Sequence, residues 1–433
     1  YTVSLVVTDA CGPSAPLTLT IQAVEGAPIA IVAGSDRPAF TFPAPEVAID
    51  ASQTYDPNGD PIWFTWVLTP PAGSACALAD PGAPVARFKP DVEGYYDLAL
   101  TVSDHGPEPL SYASQAHVVV GVFHPALGVP YDSKDVAYSG ALDRFVIVTS
   151  EPALRIVNPH DATTTMIALD ASAYAVSLSP DGSQAAVSQR THFSVVDLVG
   201  GKVTGTFAPA DSSWTYDGGD VVLDGKGWAY AFPAVSITAG PLVVKLSDGT
   251  VTSGSSFADP ETSPGAKPKL DPTGATMYEL GQYTNGIRRF YVSPGAITFG
   301  GTNSGSGAEV SGPFLSPDGV RIYTGTGTMW SPTDLTPGAS LRAPGETTTF
   351  GFIDDSIAAG KILATCGGLY GPDSFRLYDR YSFALLEKRF YPAVISNGTA
   401  TTGIVTGAYW KPNGSGYYVV FVWSGFTGIA EYP

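Results

Sequence analysis

Ser179-Pro-Asp-Gly182 and Ser316-Pro-Asp-Gly319 are the same four-residue turn, each flanked by short apolar runs. Asp224-Gly-Lys-Gly227, Asp271-Pro-Thr-Gly274 and Lys411-Pro-Asn-Gly414 occupy equivalent places, with weaker counterparts at Ser139-Gly140 and Ala358-Ala-Gly360. The closing glycines, at 140, 182, 227, 274, 319, 360 and 414, recur at intervals of 41 to 47 residues, with 54 for the last. A four-stranded antiparallel meander takes about 40 to 45 residues, and in a radial array of meanders a glycine turn joins the innermost strand to the second. Seven turns in register predict a seven-bladed β-propeller over residues 122–433. The last repeat holds only three apolar runs, Ile404 to Trp410, Tyr417 to Trp423 and Gly428 to Tyr432. The segment from Val122 to Val129 is expected to supply the fourth strand, which would join the two ends of the ring and remove an exposed edge.

A second repeat lies upstream. Tyr1-Thr-Val-Ser-Leu-Val-Val-Thr-Asp9 returns as Tyr96-Asp-Leu-Ala-Leu-Thr-Val-Ser-Asp104, 95 residues on, which is the size of an immunoglobulin-like β-sandwich. Val47 to Asp50, Ile62 to Leu68, Val85 to Phe88, Tyr96 to Val102 and Ala116 to Val122 read as its short strands, separated by Pro, Asp, Asn and Gly turns. Alternation within Ile62-Trp-Phe-Thr-Trp-Val-Leu68 puts Ile62, Phe64, Trp66 and Leu68 on one face, with Trp66 as the plug of the core. The expected organisation is all-β: residues 1–26 as the closing strands of one module, 27–121 as a complete sandwich and 122–433 as the propeller. Beginning inside a module, the chain reads as a segment of a longer modular protein.

The run Val47-Ala-Ile-Asp-Ala-Ser-Gln-Thr-Tyr-Asp-Pro-Asn-Gly-Asp-Pro61, then Phe64-Thr-Trp66, Phe88-Lys-Pro-Asp-Val-Glu-Gly-Tyr-Tyr96 and Leu100-Thr-Val-Ser-Asp104 resembles the polycystic-kidney-disease (PKD) type domain of prokaryotic surface proteins. The match covers nearly the whole module. It departs after Trp66, where Val67-Leu-Thr-Pro-Pro-Ala-Gly73 replaces the family's frequent Asp-Phe-Gly-Asp-Gly. The Ser-Pro-Asp-Gly turns resemble those of YVTN-type and related surface-layer propellers, which occur beside such modules. Both resemblances imply an extracellular or cell-surface setting.

Composition narrows the functions. Charged residues make up only 14% of the chain, and the formal charge is −18. The basic residues form no run, which argues against a nucleic-acid partner. No stretch approaches the 18 apolar residues of a membrane span. Cys11, Cys76 and Cys366 lack the spacings of zinc or haem sites, and Cys366 reads as a small buried apolar residue. His105, His117, His124, His160 and His192 are scattered, with His117 placed among apolar strand residues. No Gly-x-Ser-x-Gly elbow, phosphate loop, haem motif or sialidase-type Asp box appears. Asn397-Gly-Thr399 and Asn413-Gly-Ser415 are glycosylation-type sequons.

Two candidate sites remain. Asp56-Pro-Asn58-Gly-Asp60 sets three oxygen ligands at alternate positions, a pattern that suits calcium and equally suits a tight turn. The PKD resemblance adds Asp104, at the end of the Val-Ser-Asp strand, to that set. The second candidate is aromatic: Tyr283, Trp330, Tyr370 and Trp423 are expected in loops between second and third strands, and Trp214 and Tyr216 in a connection between blades. All six would then lie on one face, where flat rings suit sugars or protein partners.

The expected function is non-enzymatic: a stalk module and a propeller head whose work is protein contact, with self-assembly into a surface layer, sheath or filament. It requires no cofactor, calcium apart. The alternatives are a glycan-binding adhesin using the aromatic face, or a propeller hydrolase, lyase or lactonase.

Overall fold

The Ser-Pro-Asp-Gly turn shows why these four residues end one strand and begin the next. In the computed structural model the Ser179 carbonyl accepts the Gly182 N–H at 2.8 Å, the Asp181 carboxylate takes the Ser179 hydroxyl at 2.6 Å and the Ser183 N–H at 3.1 Å, and Gly182 has φ +71°. A Cβ at Gly182 would lie 2.8 Å from the Ser139 hydroxyl, so both backbone conformation and space demand glycine. That hydroxyl also donates to the Gly182 carbonyl at 2.8 Å and ties neighbouring turns together.

The structure describes residues 1–21, 26–104, 113–208, 219–232, 241–253, 267–281, 286–303, 311–366, 374–423 and 425–433, which contain strands and turns and no helix. They divide into two units, Tyr1–Val122 and Phe123–Pro433.

The second unit holds seven four-stranded antiparallel sheets. Their innermost strands are Asp135–Ser139, Ala173–Leu178, Val221–Leu223, Lys269–Leu270, Phe314–Leu315, Phe350–Ser356 and Ile404–Trp410, and sheets 1 to 7 are numbered in that order. Sheets 1 to 6 are plain meanders. Sheet 7 takes Ile404–Trp410, Tyr417–Trp423 and Phe426–Tyr432 from the end of the chain and Leu127–Val129 from the start of the second unit, just ahead of sheet 1. Leu127 stands opposite Ile429, Gly128 opposite Gly428 and Val129 opposite Thr427.

Apolar clusters join each sheet to the next. Val146 and Leu154 of sheet 1 pack with Val176 and Val187 of sheet 2, and Val195 with Val221 and Ala229 of sheet 3. Tyr230 meets Met277 and Phe290, Ile287 meets Ile322, and Tyr323 meets Phe350 and Ile362. Phe375 of sheet 6 packs with Trp410 and Tyr417, and Tyr418, Val420 and Ile429 of sheet 7 pack with Val136, Phe145 and Ile147 of sheet 1. The packing order is therefore cyclic, and the short Leu127–Val129 strand is the place where the chain closes it.

The first unit has two layers. One is a four-stranded sheet in the order Ala39–Thr41, Ala113–Phe123, Gly94–Ser103, Trp63–Thr69; the other pairs Val47–Asp50 with Val85–Phe88. Val47, Ile49, Ala86 and Phe88 face Trp66, Leu98, Leu100, Val118 and Val120 across one core. The Trp66 indole N–H donates to the Ala83 carbonyl at 3.0 Å, so the ring is buried without losing a hydrogen bond. Residues 1–21 form a separate hairpin, Thr2–Leu5 with Leu17–Thr20, whose side chains are all exposed.

Candidate functional site

The inner strands of the seven sheets surround a channel of about 890 Å³. The strand period of two sends alternate side chains into it, and among its lining residues are Asp135, Ser177, Asp220, Lys267, Lys269, Asp354 and Tyr409. Asp135 opens the inner strand of sheet 1 and accepts the Val176 N–H of sheet 2 at 3.0 Å. Its other oxygen receives the Lys267 ammonium, from the entry to sheet 4, at 2.9 Å. Ser177 of sheet 2 donates to Asp220 at the entry to sheet 3, at 2.6 Å. Burial works against the charge on Lys267, but Asp135 and Asp220 outweigh it and hold its proton more tightly than usual.

Asp354 behaves differently. Burial pushes its carboxyl up to about 7, the neighbouring Asp355 adds to this, and the Trp410 N–H donated at 2.6 Å opposes it. The Tyr409 hydroxyl donates to the Val136 carbonyl at 2.9 Å, across the junction of sheets 7 and 1. The channel's polar groups thus bind one another and stitch sheets together. None of these channel residues was singled out in the sequence. The available signal was an Asp pair, Asp354 and Asp355, set inside the apolar run Phe350–Ser356.

The acidic turn closes as a turn. One Asp56 oxygen accepts the N–H groups of Asn58 at 2.7 Å and Asp60 at 3.3 Å, and the Asn58 side-chain oxygen accepts the Gly26 N–H at 3.0 Å. The other Asp56 oxygen is buried without a hydrogen-bond partner. Among the described residues no group of three or more His, Cys, Asp or Glu side chains is arranged to hold a metal ion, and Asp56, Asp60 and Asp104 form no such group. One Asp56 oxygen and the Asn58 side-chain oxygen are thus taken up by backbone N–H groups, the work a tight turn asks of these residues.

Of the aromatic candidates, Trp214, Tyr216, Tyr283 and Tyr370 lie outside the described residues. Trp330 is buried in the core with Tyr278, Ile287, Ile322 and Leu335, which corrects its expected place in a surface loop. The second strand of sheet 5 is only Ile322–Tyr323, so the chain turns early and Trp330 falls on the third strand, opposite Ile322. Trp423 ends the second strand of sheet 7 and is 53% exposed. His117, expected to pack, is instead exposed on its sheet and pairs with Asp97 at 2.5 Å. The three cysteines are free thiols, Cys366 fully buried.

Comparison with known proteins defines the class of fold. No described family and no curated protein matches the chain. Among solved structures, the β-propeller domain of Cps50 (Swd1) from Myceliophteria thermophila is similar at a TM-score of 0.52 and 11% identity, covering 72% of this chain and 99% of that one. At that identity the likeness speaks for the fold alone: the chain contains a β-propeller. No helix among the described residues is long and apolar enough to cross a membrane.

Proposed function

We propose that this chain is a non-enzymatic extracellular or cell-surface protein that works through contacts, with a PKD-type immunoglobulin-like module as stalk and a surface-layer-type propeller as head. The observation that carries this reading is the hairpin at residues 1–21. Val3 pairs with Leu19 and Leu5 with Leu17, so these four stand on one face, while Thr2, Ser4, Thr18 and Thr20 stand on the other. The apolar side chains are 51% to 71% exposed. An isolated two-stranded hairpin is marginal in water, so this apolar face needs a cover, as the matching Leu98 and Leu100 are covered in the core of the first unit. The internal repeat supports the module: Leu98, Leu100 and Val102, which match Val3, Leu5 and Val7, are buried in the two-layered core. The Tyr96 hydroxyl donates back to the Val92 carbonyl at 2.8 Å, a feature shared with immunoglobulin-like sandwiches.

The test is self-association of the purified chain, followed by light scattering, beside the double variant Leu5→Glu/Leu19→Glu. Association lost in the variant supports the reading; equal behaviour of the two proteins overturns it. A second reading, a glycan-binding adhesin, draws on the exposed Trp423 ring. Glycan-array binding that Trp423→Ala abolishes would favour it over assembly.

A further inference from the structure

His160 lies between Val157 and Thr164 in sheet 1, and its two ring nitrogens meet two carboxylates that belong to different sheets. Nε2 is 2.9 Å from Asp143 of sheet 1, and Nδ1 is 2.9 Å from Glu431, near the end of the last strand of sheet 7. The imidazole therefore spans the junction where the end of the chain closes onto its first sheet. We propose that His160 is a pH-responsive latch on this closing seam, holding sheet 7 against sheet 1 as an imidazolium and releasing that hold when it loses a proton.

The argument begins with donors and acceptors. An ionised carboxylate only accepts, so satisfying both requires protons on both ring nitrogens, which only the imidazolium has. A neutral imidazole would keep one bond and set a lone pair against the other carboxylate. Hydrogen-bonding and charged groups surround both carboxylates. The hydroxyls of Tyr138, from sheet 1, and Tyr418, from sheet 7, both donate to Asp143, at 2.9 and 3.0 Å. The Arg144 guanidinium donates to the Asp143 carbonyl at 2.7 Å, and Lys411 of sheet 7 pairs with the second Glu431 oxygen and sits over the Tyr418 ring. Asp161, the next residue, adds a nearby negative charge. Burial raises the Asp143 carboxyl, but the bonds from His160, Tyr138 and Tyr418 outweigh it and leave it below the usual range. The Asp143 bond holds His160 above the ordinary histidine value; burial opposes this and Glu431 reinforces it.

Location gives the titration its consequence. The junction of sheets 5 and 6 is also bridged by charge, with Arg380 bonded to Asp355 at 2.5 Å and to Asp318 at 2.6 Å. Arginine stays charged throughout the accessible range. The closing seam uses histidine instead, at the place where the last three strands of the chain pack against its first sheet. Because the folded-state value is raised, the contribution is fully present below the unfolded histidine value near 6.5 and is lost as pH rises through the folded one.

The test uses the full chain and two readouts. Side-chain NMR should show His160 titrating above 6.5, and Glu431→Gln should lower that value. Native-state amide exchange, corrected for intrinsic rates, should show protection at Leu127, Val129, Thr427 and Ile429 falling by about two- to five-fold as pH rises through the His160 transition, the scale of a partly exposed ion pair. In His160→Gln the same amides should show no such step, and amides of the Arg380-bridged sheets should show none in either protein. A His160 value at or below that of free histidine, or a step that persists in His160→Gln, would overturn the latch. If His160→Gln fails to fold, the Glu431→Gln titration decides alone.

Discussion

Asp354 holds a carboxyl group inside a strand that lines the channel, where ionising it is costly. Its folded-state value near 7 lies above the ordinary 3.8, so the folded protein retains a proton that the unfolded chain releases. Stability should therefore fall as pH rises from about 4 to about 7 and stay level above, with no contribution below. Asp354→Asn keeps an oxygen for the Trp410 N–H and removes the charge. We expect it to be about 1 to 2 kcal/mol more stable than the parent at pH 8, after allowance for water in the channel, and indistinguishable at pH 3.5. Denaturant unfolding at the two pH values checks this; a pH-independent difference would contradict it. Asp56 makes the opposite case, a carboxylate that looks like a ligand in the sequence and works as a turn. Adding millimolar Ca²⁺ to the metal-stripped protein should leave its melting temperature unchanged, while Asp56→Ala should cost about 1 kcal/mol through two lost backbone bonds. A calcium-dependent rise abolished by Asp60→Ala would show that the carboxylates gather after all.

The strand from Leu127 to Val129 is only three residues long, yet it completes sheet 7 and contributes Val129 to the cluster between sheets 7 and 1. Val129→Asp places an unpaired charge in that cluster and should cost about 3 kcal/mol or more, whereas Val199→Asp, at a residue 71% exposed, should stay within about 0.5 kcal/mol. Calorimetry of the two variants separates a closing strand from a decorative one; equal melting temperatures would refute its role. This strand was legible in the sequence because the last repeat had one apolar run too few. The inner strands and their turns were legible for a similar reason: Gly182, Gly274, Gly319 and Gly414 all have φ near +70°, which leaves a fixed mark at each turn. Trp66 was legible from alternation alone. Trp330 was not, because a two-residue second strand ends early and moves the positions after it out of the loop and onto the third strand. The channel's ion pairs were not legible either, since Asp135 and Lys267 stand 132 residues apart and only the ring brings them together.

At the scale of the whole molecule, low charge content and a −18 balance coexist with an exposed apolar hairpin. Weakly charged surfaces dehydrate at small cost, so contacts with like surfaces are favoured over those with polyanions. The channel, where a propeller could assemble chemistry from separate blades, has Lys267 bonded to Asp135, Ser177 to Asp220 and Asp354 to the Trp410 backbone. These bonds favour a ring held rigid over one poised for turnover. The central claim, that the chain works through contacts, is tested most directly by electron cryo-microscopy of the purified protein at high concentration. The account predicts ordered lattices or filaments whose repeating contacts each bury more than about 1,000 Å². Monodisperse single particles, combined with hydrolase, lyase or lactonase turnover that Asp135→Ala or Asp220→Ala abolishes, would contradict it.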